Sequence, residues 1–231
     1  MNYLITGASR GIGYDTVLAL AADAKKRIFA LSRNGDRLQE LVQQAHERYG
    51  HHNIEVLATD LSTCTMQDIH DWIAPFGKLQ GVVNNAGILI NKPFEELSKQ
   101  DWQQSFQVNF FAVAELLQAI FPLLENAHVI NIGSMGGFQG SSKFPGLAAY
   151  SASKAALANL TECLAEEWKE KGIACNCLAL GAVQTEMLAT AFPGFKAPVT
   201  SAEMGGMVAW FLESGHRFFN GKVLPVSVST P

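Results

Sequence analysis

Apolar residues in this chain come in short blocks separated by longer amphipathic stretches. The blocks at residues 2–6, 27–32, 54–59, 79–84, 128–133, 173–179 and 222–227 are rich in Val, Ile, Leu and Ala, and several are apolar at consecutive positions rather than at every second one. A strand that is apolar on both faces must be covered on both faces, which is the habit of parallel sheets. Between these blocks, residues 12–23, 36–49, 65–75, 100–124, 149–171 and 203–213 repeat their apolar positions at helical intervals. Alternation of the two kinds predicts an α/β fold, a doubly wound parallel sheet with helices on both faces and right-handed crossovers. Two stretches break the pattern, 134–148 and 182–202, both bearing Gly, Pro and Ser and both following the C-terminal end of a strand. Ligands bind along that edge of an open α/β sheet, so these loops are expected to line the site.

The 231 residues fit one domain spanning 1–231 with a substantial core, and no linker or low-complexity tract divides them. Apolar residues make up 48% and charged residues 16%, with a net charge of -4, and no basic cluster exceeds Lys25-Lys26-Arg27. That balance excludes a nucleic-acid-coating chain, so any phosphate bound here is expected to be held locally. The opening segment Met1-Asn2-Tyr3-Leu4-Ile5-Thr6-Gly7 runs straight into a strand without the charged region and cleavage site of a signal peptide. No later run reaches the roughly 18 to 20 consecutive apolar residues that cross a bilayer. The expectation is a cytoplasmic protein with no membrane or nucleic-acid partner. Cys64, Cys163, Cys175 and Cys177 show no zinc-type spacing, so buried free thiols and no metal are expected.

Chemistry enters after the first strand, where Thr6-Gly7-Ala8-Ser9-Arg10-Gly11-Ile12-Gly13 opens a helix that continues through Val17-Leu18-Ala19-Leu20. Glycines at 7, 11 and 13 permit a tight turn, close approach of the backbone to a pyrophosphate, and close packing of helix on strand. The phosphates would sit at the helix N-terminus, where free N–H groups and the dipole favour an anion. The second strand ends in Arg33-Asn34, where selection of NAD would place an acid for the ribose 2′-hydroxyl. Asp36 follows too late and is expected to cap the next helix. Arg33, helped by Arg10, is expected to clamp a 2′-phosphate, which makes NADP(H) the expected cofactor.

Tyr150 and Lys154 stand four residues apart at the start of a helix, one turn apart on one face, among Ala148, Ala149, Ala152, Ala155 and Ala156. An unperturbed tyrosine has a pKa of about 10, and proton donation to a developing alkoxide near neutrality needs a lower one. The Lys154 cation is expected to help lower it.

These segments occur in the order of a known family. The T-G-x-x-x-G-x-G spacing, Asp60-Leu61 after the third strand, Asn84-Asn85-Ala86-Gly87 ending the fourth, Asn109, Ser134, Tyr150-x-x-x-Lys154, Asn176 and Gly181-Ala182-Val183-Gln184-Thr185 together resemble the short-chain dehydrogenase/reductase family, classical type, over most of the chain. The resemblance implies a single Rossmann-like catalytic domain. It implies cofactor contacts from Gly7, Ser9, Arg10, Gly11, Ile12, Gly13, Arg33, Asp60, Leu61, Asn85, Ala86, Gly87, Tyr150, Lys154, Gly181, Val183 and Thr185. It implies catalysis by Asn109, Ser134, Tyr150 and Lys154, with hydride passing between a nicotinamide and a carbonyl or secondary alcohol. In that scheme Ser134 polarises the carbonyl, Tyr150 gives the proton, Lys154 holds the ribose, and Asn109 supports a water leading from Lys154 to solvent.

The family also implies a homodimer or homotetramer, joined through helices 100–124 and 149–171. Phe110, Phe111, Leu116, Leu117, Leu160 and Leu164 could serve that contact or the core. The chain departs from the pattern in three places. Leu180 stands where a proline is common, the tail Val223-Leu224-Pro225-Val226-Ser227-Val228 lacks the usual Asp-Gly-Gly ending, and the loop from Ser134 to Tyr150 is long enough to offer Ser141 and Ser142 as alternatives to Ser134. Met187, Leu188, Phe192, Pro193, Gly194, Phe195 and Pro198 from one loop and Met135, Phe138 and Phe144 from the other are expected to form an apolar wall and mobile lid over Tyr150. Such a wall favours a small apolar or aromatic ketone or aldehyde. The competing reading is a catalytically idle NADP(H)-binding sensor or scaffold of the same fold.

Overall fold

The computed structural model describes residues 1–228; residues 229–231, the end of the expected domain, lie outside it. In chain order the elements are β1 (Asn2–Thr6), α1 (Gly11–Ala21), β2 (Arg27–Ser32), α2 (Gly35–Tyr49), β3 (Ile54–Ala58), α3 (Met66–Ile73), β4 (Leu79–Asn84), α4 (Lys99–Phe106), α5 (Ala112–Ile120), β5 (Leu124–Ser134), α6 (Ala148–Glu167), β6 (Ala174–Leu180), β7 (Val183–Gln184), α7 (Glu186–Ala191), β8 (Val199–Thr200), α8 (Ser201–Ser214) and β9 (Val223–Val226). Seven strands form one parallel sheet in the order β3-β2-β1-β4-β5-β6-β9. The order reverses between β1 and β4, and the crevice outside their C-terminal ends is where such sheets bind ligands.

Helices cover both faces, as the doubly apolar strands require. On one face α1, α2 and α8 bury Leu20, Leu41, Val208 and Phe211 with Ile5, Ile130 and Leu178 of the sheet. On the other, α3, α5 and α6 bury Ile69, Leu116, Leu117 and Leu157 with Leu4, Phe29, Val82 and Val129. Leu116 and Leu117 therefore belong to the core, whereas Phe111 keeps 47% of its surface exposed.

The expected helix at 100–124 is not continuous. Between α4 and α5 the backbone widens into a π turn at Gln107–Phe111, the kind of bulge that re-aims a side chain, and Asn109 lies within it. After α5, Pro122 cannot donate to a helical ladder, and the chain tightens into a 3-10 turn at Phe121–Leu123 before extending. As a result β5 starts at Leu124, four residues ahead of the expected strand. The Lys99–Leu123 stretch contains an 18-residue window of mean hydropathy 1.4, long and apolar enough to cross a membrane by length and composition alone. Its buried side chains, however, pack against this domain's own sheet and helices.

Two local expectations are corrected. Asn34, not Asp36, caps α2, its side-chain oxygen accepting from the Arg37 N–H at 3.0 Å, and Asp36 stands in the first turn. Leu180, standing where a proline is common, stays in the sheet, paired with Ser134 and Val226. Of the cysteines only Cys175 and Cys177 are buried, Cys163 being exposed on α6 and Cys64 half-buried.

Candidate active site

The C-terminal ends of β1, β4, β5 and β6 open into a cleft of about 1200 Å³. One side is built by the Gly-rich turn. Gly7 (φ +67°) and Gly11 (φ +57°) take left-handed backbone that other residues adopt only with strain. A Cβ on Gly13 would lie 2.5 Å from the Gly7 carbonyl oxygen and 2.5 Å from Asn85 Nδ2, so only glycine lets α1 seat this closely. The turn is braced from β4: Asn85 Nδ2 donates to the Thr6 and Gly7 carbonyls at 3.1 Å each. Thr6 Oγ1 accepts from the Asn85 and Ala86 N–H groups, also at 3.1 Å each. No side chain caps the N-terminus of α1, whose first turn borders the cleft. An uncapped N-terminus of an 11-residue helix, backed by a glycine cradle, fits a dinucleotide pyrophosphate.

Of the residues expected to bind cofactor, Gly7, Ser9, Arg10, Gly11, Ile12, Arg33, Asp60, Leu61, Asn85, Ala86, Gly87, Tyr150, Lys154, Gly181, Val183 and Thr185 all line this cleft. Gly13 stands behind it as a packing residue. Arg33 reaches Asp60, Nη1 to Oδ2 3.8 Å, and remains largely exposed. Burial opposes the charge on Asp60, but hydrogen bonds from the Ser62 hydroxyl and N–H, with the Arg33 guanidinium, outweigh it and hold the carboxyl below its ordinary range. Arg10 points elsewhere, donating from Nη1 to Glu186 Oε2 at 2.8 Å.

At the other end of the cleft Ser134, at the tip of β5, meets Tyr150 and Lys154 from the first turns of α6. Gly137 lets the loop after β5 lie against α6, since a Cβ there would come within 2.7 Å of the Lys154 carbonyl carbon. Lys154 is 4% exposed and donates to the Ile132 carbonyl at 2.7 Å. Its pKa is pushed down to about 8, because burial disfavours the ammonium. Tyr150 keeps part of its surface on the cleft, yet its pKa is raised rather than lowered: burial dominates, opposed by a hydrogen bond with Ser134. The expected depression by Lys154 is not seen, burial of the phenol being the larger effect.

Asn109 does not line the cleft. Fully buried, it accepts from the Ile88 N–H at 2.9 Å and donates to the Ile88 carbonyl and to Ser153 Oγ, both at 3.0 Å. It thus ties the chain after Asn85-Ala86-Gly87 to α6. The alternative serines are spent otherwise: the Ser141 hydroxyl donates to the backbone carbonyls of Met135 and Phe138, and Ser142 is exposed.

The segment 182–202 is not an irregular loop but a strap. β7 pairs with β8, Thr185 caps α7 by accepting from the Leu188 N–H, and Gln184 accepts from the Ala197 N–H at 2.9 Å. It is fastened on both sides of the cleft, by Glu186 to Arg10 and by Asn91 Nδ2 donating to the Ala191 carbonyl at 2.9 Å. Met187, Leu188, Phe192, Phe195 and Pro198 face the cleft, as do Met135 and Phe144, while Phe138, Pro193 and Gly194 do not. Sequence reasoning missed Arg37 and Glu186, both at the cleft wall. The available signal was a cation in the first turn of α2, where the helix dipole disfavours one.

The family profile of the short chain dehydrogenases matches residues 2–194. The chain belongs to the short-chain dehydrogenase family. Oxidoreductase YciK of Escherichia coli (strain K12) is 34% identical over 198 residues, covering 82% of this chain and 76% of that protein. A 3beta-hydroxysteroid dehydrogenase of Mediterraneibacter gnavus is 33% identical, covering 80% of this chain and 66% of its own length. A solved short chain dehydrogenase from Escherichia coli CFT073, complexed with NADPH, is 31% identical and superposes with a TM-score of 0.86 over 97% of this chain and 95% of that one. The chain is thus an oxidoreductase with the fold of this family.

Proposed function

We propose that this short-chain dehydrogenase reduces a small apolar or aromatic ketone or aldehyde with NADPH, or runs the reverse oxidation. The observation that carries the reading is the convergence of Ser134, Tyr150 and Lys154 on one wall of a cleft whose far end is the uncapped N-terminus of α1. The glycine cradle and Gly87, whose added Cβ would sit 3.1 Å from Asn109 Oδ1 and 3.5 Å from Lys154 Nζ, leave backbone room for a nicotinamide dinucleotide. That cofactor, when bound, supplies or accepts the hydride. The three guanidinium groups at the cleft wall, Arg10, Arg33 and Arg37, favour a 2′-phosphate, and the NADPH complex of the solved relative supports the same choice.

Tyr150 is the proton donor to the oxygen that becomes an alkoxide, and the Ser134 hydroxyl is the hydrogen-bond partner of that oxygen. The raised pKa keeps the phenol protonated, and the lowering that donation near neutrality needs would come from the positive nicotinamide of the bound oxidised cofactor. Lys154, poised near pH 8, can hold ribose hydroxyls as a donor and pass a proton. Asn109 is a positioning residue, keeping Ile88 and α6 in register. Met135, Phe144, Leu188, Phe192 and Phe195 exclude water from the reacting end and suit an apolar substrate better than a sugar or carboxylate.

In solution the chain pairs with a second copy through the α5–α6 side, where Phe111 is exposed. The test of function is turnover of NADPH with a panel of aromatic, aliphatic and polar carbonyl compounds, wild type against Tyr150→Phe. Loss of a general acid typically costs about 10² to 10⁴ in rate, so the variant should lose turnover on that scale while binding NADPH as before. NADPH binding without turnover on any of the panel would instead make the protein a sensor.

A further inference from the structure

The polar contact that closes the cofactor side of the cleft sits on the groups that select the cofactor. Glu186, in the first turn of α7, accepts from Arg10 Nη1 at 2.8 Å and from Arg37 Nη1 at 2.9 and 3.1 Å through its two oxygens. The two arginines come from different elements, the Gly-rich turn and α2, and meet only through this carboxylate. The paired guanidinium groups, Arg10 first, hold the Glu186 carboxyl below its ordinary range. Arg33 is turned to Asp60 nearby. Three cations thus face two carboxylates, and every one of the five borders the cleft.

We propose that Glu186 tunes cofactor discrimination, its carboxylate holding on Arg10 and Arg37 the place that an adenosine 2′-phosphate takes. A phosphate monoester carries about −1.5 to −2 charge and three acceptor oxygens, against one charge and two oxygens for a carboxylate, so it can displace Glu186 from both guanidinium groups. NADH carries no group there and leaves the Glu186 contacts intact. Glu186 is half exposed, so a side-chain rotation delivers it to water. The Asn91–Ala191 hydrogen bond keeps the strap seated meanwhile, and the Gln184–Ala197 bond holds its internal shape. Glu186 therefore taxes NADPH binding alone and trims a preference that the arginines create.

The proposal rests on the NADP(H) reading above, and the experiment separates the two. NADPH and NADH dissociation constants are measured by nucleotide fluorescence for wild type, Glu186→Gln and Arg37→Gln, at low and high salt. Glu186→Gln should tighten NADPH by about two- to fivefold, the scale on which exposed ion pairs act, leave NADH unchanged, and lose most of the gain at high salt. Arg37→Gln should weaken NADPH by a similar factor and leave NADH unchanged. If wild type binds NADH as tightly as NADPH, the cofactor reading fails and the proposal with it. If wild type prefers NADPH but Glu186→Gln leaves its affinity unchanged, or moves both cofactors alike, the proposal alone is overturned, the second result marking a clasp over the whole dinucleotide.

Discussion

Lys154 is the residue whose burial has the clearest cost. Its ammonium is desolvated, its pKa falls from 10.5 to about 8, and a single backbone carbonyl is its hydrogen-bond partner. Below pH 8 folded and unfolded chains both carry this proton, and the fold bears the full penalty. Between about 8 and 10.5 the unfolded chain holds the proton more often than the folded one, so stability rises with pH across that window. The full gain is of order 3 kcal/mol, taking 1.36 kcal/mol per pKa unit. Tyr150 acts oppositely at higher pH: its raised pKa means that stability is lost once unfolded tyrosines ionise, above about pH 10. Urea unfolding of wild type and Lys154→Met is therefore best compared between about pH 7.5 and 9.5. The difference between the two proteins should shrink steadily as pH rises, and a difference that stays flat would mean that Lys154 titrates normally.

At the level of elements, the site depends on how closely α1 approaches the turn after β4. Gly13, on the helix, meets the Gly7 carbonyl, which is backbone, and the Asn85 side-chain amide, which is pinned by its hydrogen bonds to the Thr6 and Gly7 carbonyls. Gly13→Ala must push α1 outward or break the Asn85 brace. Overpacking of this kind costs about 1 to 3 kcal/mol. Denaturant midpoints should fall accordingly, and dinucleotide affinity should fall with them, because the N-terminus of α1 moves. Gly206→Ala on α8, where a Cβ has open space, is the control and should hold or raise stability. Equal midpoints for Gly13→Ala and wild type would show that the helix can shift at no cost.

For the whole molecule, the proposed pairing rests on Phe111, 47% exposed at the start of α5 beside the buried Leu116 and Leu117. Phe111→Glu places a charge on that surface without touching Leu116 or Leu117, which are buried in the domain itself. Light scattering should show the variant as a smaller species than wild type at the same concentration, with unchanged circular dichroism. A wild type already monomeric at working concentration would remove the pairing.

The sequence by itself determined the layers and the order of chemistry along the chain. Consecutive apolar positions at 3–5 and 28–31 point to a sheet covered on both faces, and Gly7, Gly11 and Gly13 are legible because their spacing after a strand and before a helix is that of a phosphate-binding turn. Ser134, Tyr150 and Lys154 were legible because they fall at a strand end and a helix start, positions fixed by local pattern. Tertiary structure decided what pattern does not encode. Periodicity carried straight through 100–124, yet Pro122 and a π turn divided it, and the turn put Asn109 behind the cleft rather than in it. The direction of the Tyr150 shift was set by burial of the phenol, which outweighs its hydrogen bond with Ser134 and which only the fold decides. Arg10, Arg37 and Glu186 stand far apart in sequence and pair only because α2 and α7 close on one cleft. Long-range partners of charged side chains leave no periodic trace, since a solvated face and a salt-bridged one read alike until the fold brings them together.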